Sequence, residues 1–134
     1  MPKAYFMGFA QGQALSELHA SFDVFVHAGL SETFCQSIQE ALASGVPVVA
    51  PASGGPLDLV SEGVNGLFWD PQHPDTLIEK VHMLEAEGEL RKVLAGNARG
   101  TVVDRTWSSI MEELEDHYRS VVDGARSMGV RGAA

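Results

Sequence analysis

Residues 31–50 read S-E-T-F-C-Q-S-I-Q-E-A-L-A-S-G-V-P-V-V-A, and this stretch decides the fold. It predicts a helix over 34–44, because Thr33 and Gln36 have the spacing of a capping box and Gly45 is a typical helix end. The closing V-P-V-V-A predicts a buried strand whose proline lies near its start, where a sheet tolerates it. A helix that leads directly into a buried strand is half of the crossover unit of a parallel sheet.

Strands and helices alternate on both sides of this stretch. The run F-D-V-F-V-H at 22–27 predicts a second buried strand, and shorter strands are predicted at 4–7 and 67–69. This alternation predicts an α/β fold, a partial Rossmann-like doubly wound parallel sheet of about four strands. We expect a single domain over 1–123 and a disordered tail over 124–134. The further predicted helices cover 13–20, 56–60, 74–84, 89–99 and 106–123.

The composition restricts the class of partner. The 134 residues contain 18 Asp and Glu against 9 Lys and Arg, so the net charge is −9 and the surface repels phosphate backbones and anionic lipids. We therefore expect no nucleic-acid binding. We also expect no membrane insertion by this segment, because no apolar run approaches the about 20 residues of a spanning helix. The single cysteine, Cys35, excludes an internal disulfide and fits a reducing cytoplasm.

The start of the predicted helix is a candidate anion site. The backbone amides of residues 34–37 would be the unpaired donors of its first turn, and the helix dipole would add partial positive charge. Glu32 precedes these amides and Glu40 lies inside the helix, and carboxylates in such positions fit the hydroxyls of a sugar or a ribose. The alternative interpretation is that both glutamates are solvated helix charges.

Three other features near this helix have competing interpretations. Gly54 and Gly55 follow the predicted strand 46–50, and they permit either a close approach to a ligand or a plain strand-to-helix turn. His27 either touches a ligand or simply ends its strand. A helix N-terminus lowers the pKa of a thiol such as Cys35, but no basic residue accompanies it, which favours a small positioned residue over a nucleophile. The sequence has neither a dinucleotide fingerprint, nor a P-loop, nor a metal-ligand spacing.

Together these motifs resemble the C-terminal domain of family 4 retaining glycosyltransferases, which have the two-domain GT-B fold. The resemblance rests on F-D-V-F-V-H, on the E-x7-E pattern from Glu32 to Glu40, on A-L-A-S-G-V-P-V-V-A, on S-G-G-P-L-D-L-V and on V-N-G-L-F. It extends over about residues 3–122. The segments E-T-F-C-Q and G-G-P-L-D-L-V look most like those of actinobacterial GDP-mannose-dependent α-mannosyltransferases, which act on glycolipid or lipoglycan acceptors.

The resemblance implies a donor-binding role for a set of residues, which are Glu32, Phe34, Cys35, Gln36, Ser37, Glu40 and Phe9. By that analogy Glu32 would hold hydroxyls of the donor sugar and Glu40 those of the ribose. The backbone amides of 34–35 would reach the sugar, those of 36–37 would reach the diphosphate, and the base would lie near Phe9. The glutamates would position the donor without acting as nucleophiles, and the resemblance implies neither a metal nor a cofactor.

The resemblance also implies parts that these 134 residues lack. Members of that family have an N-terminal acceptor domain, and the first half of their C-terminal domain supplies the Arg, Lys and His that face the donor. We therefore expect a cytoplasmic fragment that binds a nucleotide-diphosphate sugar, partners the missing N-terminal domain and is inactive alone. The intact enzyme would be a retaining hexosyltransferase. Two alternatives are a UDP-sugar-dependent enzyme of the same family and a non-catalytic module that only packs against a partner.

Overall fold

The chain forms two compact units, one that ends at Val102 and one that begins at Val103. A computed structural model describes residues 4–127. The second unit contains the helix α5 (Trp107–Ser127). The first unit contains, in order, α1 (Gly12–Ala20), β1 (Phe25–Val26), α2 (Gln36–Ala43), β2 (Val48–Pro51), β3 (Gly66–Trp69), α3 (Asp75–Ala86) and α4 (Gly88–Ala98), with 3₁₀ turns at Gly55–Asp58 and Arg99–Thr101.

The three strands form one parallel sheet in the order β1-β2-β3. β2 is central, and its Val48 pairs with Phe25 on one side and with Gly66 on the other. Every residue of β2 is buried, as expected for a strand that helices cover on both faces. The predicted α/β fold with a parallel sheet is therefore confirmed, with three strands in the described chain where about four were expected.

The core lies on both sides of β2. Val48 and Ala50 belong to one cluster with the buried face of α2, which contributes Ile38 and Leu42. Val49 belongs to a second cluster with residues of β3, α3 and α4, namely Leu67, Trp69, Leu84 and Leu94. Successive residues of a strand point to opposite faces of the sheet, so helices pack on both faces of β2. This is the doubly wound arrangement that the sequence predicts.

The strand predicted at 4–7 is not formed. Residues 4–11 are irregular, and Phe6 is 98% exposed. A strand requires a neighbour that completes its hydrogen bonds, and within the described residues the sheet ends at β1 without reaching this segment. β1 is also shorter than the predicted 22–27, because its register with β2 covers only two residues.

α2 begins at Gln36, later than the capping-box prediction. The residue before it, Cys35, has a φ of 52°, and this left-handed conformation turns the chain into the helix. Thr33 therefore lies outside the first turn and its side chain does not cap the helix, while the Gln36 side chain donates to Glu40 Oε1 at 3.2 Å. The predicted capping box is wrong, although the helix and its stop at Gly45 are confirmed.

α5 begins with a reciprocal pair of hydrogen bonds that the sequence prediction missed. The backbone amide of Ser109 donates to Thr106 Oγ1 at 3.2 Å, and that of Thr106 donates to Ser109 Oγ at 3.0 Å. The helix continues through Ser127, beyond its predicted end, so residues 124–127 of the predicted tail are helical. The remainder of that tail, 128–134, lies outside the described residues.

Candidate functional site

Two loops that follow neighbouring strands meet at the carboxyl edge of the sheet. The first, residues 27–35, connects β1 to α2, and the second, residues 52–54, connects β2 to the 3₁₀ turn that begins at Gly55. The backbone N–H of Gly55 donates to the carbonyl oxygen of Glu32 at 2.9 Å, which joins the two loops directly. Ligands of open parallel sheets bind at this edge, so the two loops form the candidate site.

Gly54 and Gly55 allow the backbones of these loops to touch. Gly54 has a φ of 62°, and a Cβ there would lie 2.9 Å from the carbonyl oxygen of Glu32. A Cβ at Gly55 would lie 2.5 Å from the carbonyl oxygen of Thr33 and 3.1 Å from the backbone nitrogen of Phe34. The sequence allowed two interpretations of the glycine pair, a close approach to a ligand or a plain turn. The structure adds a third, which is contact with the loop that contains Glu32.

The amides at the start of α2 are free of protein acceptors. Within the described part of the chain, the backbone N–H groups of Phe34, Cys35, Gln36 and Ser37 donate to no protein atom, while the carbonyl oxygen of Cys35 accepts from the Ile38 amide at 3.0 Å. First-turn amides of a helix have no intrahelical partner, and the helix dipole places partial positive charge at the same point. Consecutive unpaired donors therefore lie beside the contact between the two loops.

Cys35 lies at this helix start and contacts the end of β1. Its side chain is 2% exposed, and Sγ lies 3.9 Å from Nε2 of His27. Burial raises the pKa of the Cys35 thiol, and the negative charge of Glu32 raises it further. The lowered pKa expected from the helix position is therefore wrong, because burial and the charge of Glu32 both raise it. A thiol that keeps its proton is suited to packing and not to nucleophilic attack.

His27 connects the sheet to the first loop. Its amide donates to the carbonyl oxygen of Val49 at 2.8 Å, and its own carbonyl oxygen accepts from Trp69 Nε1 at 3.1 Å. Its ring lies against Cys35 and against Gly29, where a Cβ would come within 2.9 Å of Nε2. The residue therefore both ends its strand and lies against the site loop, so the two interpretations of its sequence position do not exclude each other.

The two glutamates lie in different parts of the site. Glu32 is exposed in the loop that Gly55 contacts, whereas Glu40 is partly buried on α2. Glu40 belongs to a groove between α1 and α2 of about 430 Å³, which is lined by Gly12, Leu15, Ser16, His19, Glu40, Ala43 and Ser44. The unpaired amides of α2 fall between the two carboxylates in the chain.

His19, in this groove, is a polar residue that the sequence patterns did not identify. Its side chain is 5% exposed, and within the described residues its Nδ1 has no hydrogen-bond partner. The ring packs against Phe22 and Phe25, with centroid separations of 5.9 and 5.6 Å. Its place on the apolar face of the predicted helix, four residues after Leu15, was the available signal.

The aromatic residues of the predicted set are less well enclosed. Phe34 is 50% exposed at the end of the first loop, and Phe9 is 88% exposed in the irregular segment before α1. Phe9 is not part of the groove lining, although Gly12, just after it in the chain, is. The structure thus brings Glu32, residues 34–37 and Glu40 together on one loop and helix, and leaves Phe9 outside that element.

Cationic side chains are missing from this half of the sequence. No Lys or Arg occurs between residues 4 and 79, whereas 9 Asp and Glu do, and both site loops, α1 and α2 fall within that stretch. Among the residues that the structure describes, no group of His, Cys, Asp and Glu could hold a metal ion. The side chains of residues 4–79 therefore offer an anion no Lys or Arg, and the donors of the site are uncharged groups such as the backbone amides at the start of α2.

Residues 2–101 match the family model described as "Glycosyl transferases group 1". The chain belongs to this family. The GDP-mannose-dependent alpha-mannosyltransferase of Corynebacterium glutamicum is 43% identical over 123 residues, which cover 91% of this chain and 30% of the relative. The protein of the same name in Mycolicibacterium smegmatis is 46% identical over 129 residues, which cover 96% of this chain and 33% of the relative.

Solved structures of group 1 glycosyltransferases and similar proteins share this fold. Anabaena HepE in complex with UDP and glucose superposes with a TM-score of 0.75 at 27% identity, covering 87% of this chain and 32% of that one. The C-terminal domain of the group 1 family protein LpcC from Francisella tularensis superposes with a TM-score of 0.64 at 26% identity, covering 73% of this chain and 51% of that one. The family and the GT-B fold inferred from the motifs are confirmed.

This group 1 glycosyltransferase chain spans only 30–33% of the length of the curated mannosyltransferases that it matches. The names of those relatives agree with the predicted class, a hexosyltransferase that transfers mannose. Regarding membranes, none of the helices described within residues 4–127 has the length and apolar composition that a bilayer crossing requires.

Proposed function

We propose that this group 1 glycosyltransferase chain binds the nucleotide-diphosphate sugar of a retaining hexosyl transfer, with GDP-mannose as the donor. The observation that supports this most is the row of unpaired amides at the start of α2, between Glu32 and Glu40 in the chain. Such amides bind phosphate, and carboxylates accept hydrogen bonds from hydroxyls. A nucleotide-diphosphate sugar has the matching order, because its diphosphate lies between a sugar and a ribose.

The amides divide into two pairs in this proposal. Those of Gln36 and Ser37, inside α2, bind the diphosphate, and those of Phe34 and Cys35 reach the sugar. The left-handed backbone of Cys35, with its φ of 52°, separates the regular helix from the loop and so separates the two pairs. The helix dipole adds about 0.3–1 kcal/mol for a negative charge at this end.

Glu32 and Glu40 hold the two hydroxyl-bearing ends of the donor. Glu32 accepts hydrogen bonds from the sugar and Glu40 from the ribose, and neither acts as a nucleophile. The groove that Glu40 lines has a volume of about 430 Å³, within the range of about 300–1,000 Å³ of small-molecule pockets. The base extends along the groove toward Gly12, and Phe9, just before it in the chain, is the proposed contact for the base.

The identity of the donor rests on the relatives. Two proteins named GDP-mannose-dependent alpha-mannosyltransferases are 43% and 46% identical to this chain. A UDP-sugar is the second candidate, because the solved structures of Anabaena HepE, at 26–27% identity, are described in complex with UDP, glucose and UDP-glucose. The higher identity favours GDP-mannose as the donor.

The charge of the site limits what this chain does alone. Transfer places additional negative charge on the departing diphosphate, and enzymes stabilise such charge with oriented dipoles and cations. The amides of α2 are dipoles, and residues 4–79 contain no Lys or Arg. Catalysis therefore needs cationic groups from outside this stretch, and we expect this chain alone to bind the donor weakly and to transfer no sugar.

Isothermal titration calorimetry of the 134-residue chain with GDP-mannose, GDP, UDP-glucose and UDP tests the proposal. We expect a Kd on the order of 1 mM for the two guanosine nucleotides and at least about tenfold weaker binding of the two uridine nucleotides. Glu40→Ala should weaken GDP binding about tenfold, or about 1.4 kcal/mol. Glu17→Ala is the matched control, because it removes an equal charge from an exposed position on α1 outside the groove.

Each outcome of the titration has a distinct meaning. If none of the four compounds binds at concentrations several times the expected Kd, this chain is not a donor-binding module. If the uridine nucleotides bind more tightly, the donor is a UDP-sugar. If Glu40→Ala binds GDP like the unmodified chain, the assignment of Glu40 to the ribose is wrong.

A further inference from the structure

The second site loop contacts the first through backbone groups. We infer that Gly54 and Gly55 are positioning residues, which set the place of the Glu32–Phe34 backbone and thereby the place of the groups that meet the donor. The functional part of this inference rests on the proposed donor site. The positional part is a property of the folded chain and is measurable without a ligand.

The first loop needs an external support. Residues 28–35 contain no helix or strand, and Glu32, Thr33 and Phe34 are exposed. Exposed loops with few buried contacts sample several conformations unless other elements hold them. The hydrogen bond from the Gly55 amide to the Glu32 carbonyl oxygen, at 2.9 Å, connects this loop to the end of β2.

The second loop is suited to be the rigid partner. Gly55 and Pro56 are both buried, and the ring of Pro56 fixes its own φ. The turn that follows is closed by the Val60 amide, which donates to the carbonyl oxygen of Pro56 at 2.9 Å. The support therefore comes from the buried side of the contact, and the exposed loop is the part that adapts.

The contact leaves no space for a side chain at Gly55. A Cβ would lie 2.5 Å from the carbonyl oxygen of Thr33, whereas ordinary van der Waals contact begins near 3.4 Å. An alanine would therefore move the Thr33 backbone by roughly 1 Å, because the buried turn cannot yield. A displacement of about 1 Å in groups that hold a substrate costs on the order of 100-fold in rate.

Gly54 and Gly63 provide a comparison. Both have a positive φ, 62° and 72°, but Gly54 also has a ψ of −147°, a combination that is almost restricted to glycine, so an alanine there is strained beyond the effect of φ alone. Only at Gly54 does the added Cβ meet another backbone, 2.9 Å from the carbonyl oxygen of Glu32, and at Gly63 nothing lies within 4 Å. Gly63→Ala therefore controls for a positive φ alone, and the amide signals of residues 32–34, rather than the melting temperature, report the contact with the loop.

The experiment compares Gly55→Ala, Gly54→Ala and Gly63→Ala in the full chain. Amide ¹⁵N–¹H spectra report the environment of residues 32–34, and calorimetry reports the affinity for GDP-mannose, whose sugar meets these residues in the proposed site. We expect the variants at 54 and 55 to shift the amide signals of 32–34 and to weaken GDP-mannose binding about tenfold. The variant at 63 should do neither.

The outcomes separate the inference from the proposed function. Unchanged signals of residues 32–34 in the variants at 54 and 55 overturn the inference, and so do shifted signals with unaltered affinity for GDP-mannose. If the unmodified chain binds no nucleotide, the proposed function fails, and the spectra alone decide whether the glycines set the loop. Gly55→Ala also places a Cβ before Pro56, where the backbone is restricted. If that variant does not fold, Gly54→Ala against Gly63→Ala decides the question.

Discussion

Asn65 Nδ2 donates to Oγ1 of Thr101 at 2.8 Å, and this contact ties the turn before β3 to the 3₁₀ turn after α4. Asn65 is fully buried. Its amide nitrogen also donates to the carbonyl oxygen of Leu59 at 2.9 Å, and its Oδ1 accepts from the backbone amide of Ser61 at 2.8 Å. The V-N-G-L-F segment thus has a structural role, which is to satisfy buried backbone groups from one side chain.

Replacement of Asn65 should be strongly destabilising. Asn65→Leu leaves the amide of Ser61 and the carbonyl of Leu59 without this partner, so we expect a loss of about 3 kcal/mol in the free energy of unfolding. Thr101→Val is the control, because it leaves those two backbone bonds in place and should cost about 1 kcal/mol. Urea denaturation followed by circular dichroism measures both. Equal losses would show that the bond to Thr101 accounts for the whole effect of Asn65.

Gly66 is required by the pairing of β2 with β3. A Cβ at this buried position would overlap the carbonyl oxygen of Val48, so Gly66→Ala has to separate the strands. We expect a loss of about 3 kcal/mol or failure to fold. Gly96→Ala, on an open face of α4, is the control and should stabilise the chain by about 0.5–1 kcal/mol. A Gly66→Ala variant that melts like the unmodified chain would contradict the register described for these strands.

Cys35 should react slowly with a thiol reagent such as DTNB. Burial raises its pKa above the ordinary 9.0, and the charge of Glu32 raises it further. Little thiolate therefore forms near pH 8. Glu32→Gln should increase the rate severalfold, whereas Glu17→Gln should not. Because the folded chain holds this proton more tightly than the unfolded chain, stability falls as the pH rises above 9.0. A folded chain that reacts as fast as the chain in urea would contradict this prediction.

Asp70 should titrate at unusually low pH. Its Oδ2 pairs with His73 Nδ1 at 2.8 Å, and its Oδ1 accepts from the Gln72 amide at 2.8 Å. Both bonds lower the pKa of Asp70, and the bond to His73 has the larger effect. The stabilisation is present above pH 3.8 and is lost as the pH falls through the lowered pKa. Carboxyl-carbon NMR should give a midpoint below 3.8, and His73→Ala should move it upward.

His82→Ala provides the comparison for this titration. His82 makes the same kind of pair on α3, with its Nδ1 3.0 Å from Glu85 Oε2, whereas Asp70 and His73 precede that helix. Its removal should leave the midpoint of Asp70 unaltered. A midpoint that does not respond to His73→Ala would mean that the backbone amide of Gln72 alone sets the pKa of Asp70.

Elements with a local sequence signal were predictable. α2 and β2 were found because an amphipathic helix and a buried apolar run follow each other within 31–50. The segment 4–7 has a composition that favours a strand, but a strand also depends on a neighbour that local composition does not reveal. The spacing of Thr33 and Gln36 fits a capping box, yet the left-handed Cys35 between them, which local rules disfavour, moves the helix start.

The candidate site was predictable to the extent that it lies on one continuous stretch. Glu32, residues 34–37 and Glu40 belong to the same loop and helix, so spacing alone brought them together. The contact between Gly55 and Glu32 depends on the side-by-side placement of β1 and β2, which no local pattern specifies. The raised pKa of Cys35 likewise follows from burial, which the sequence position at a helix start does not reveal.

Because residues 4–79 contain no Lys or Arg, reagents that react at these residue types do not modify this stretch of the chain. Trypsin cleaves after these residues, so it should release the sheet, α1, α2 and both site loops as one peptide, Ala4–Lys80. Amine-reactive coupling attaches the chain through its N-terminal amine and through Lys3, Lys80 and Lys92. A chain immobilised in this way on a sensor surface keeps every side chain of the candidate site chemically unmodified.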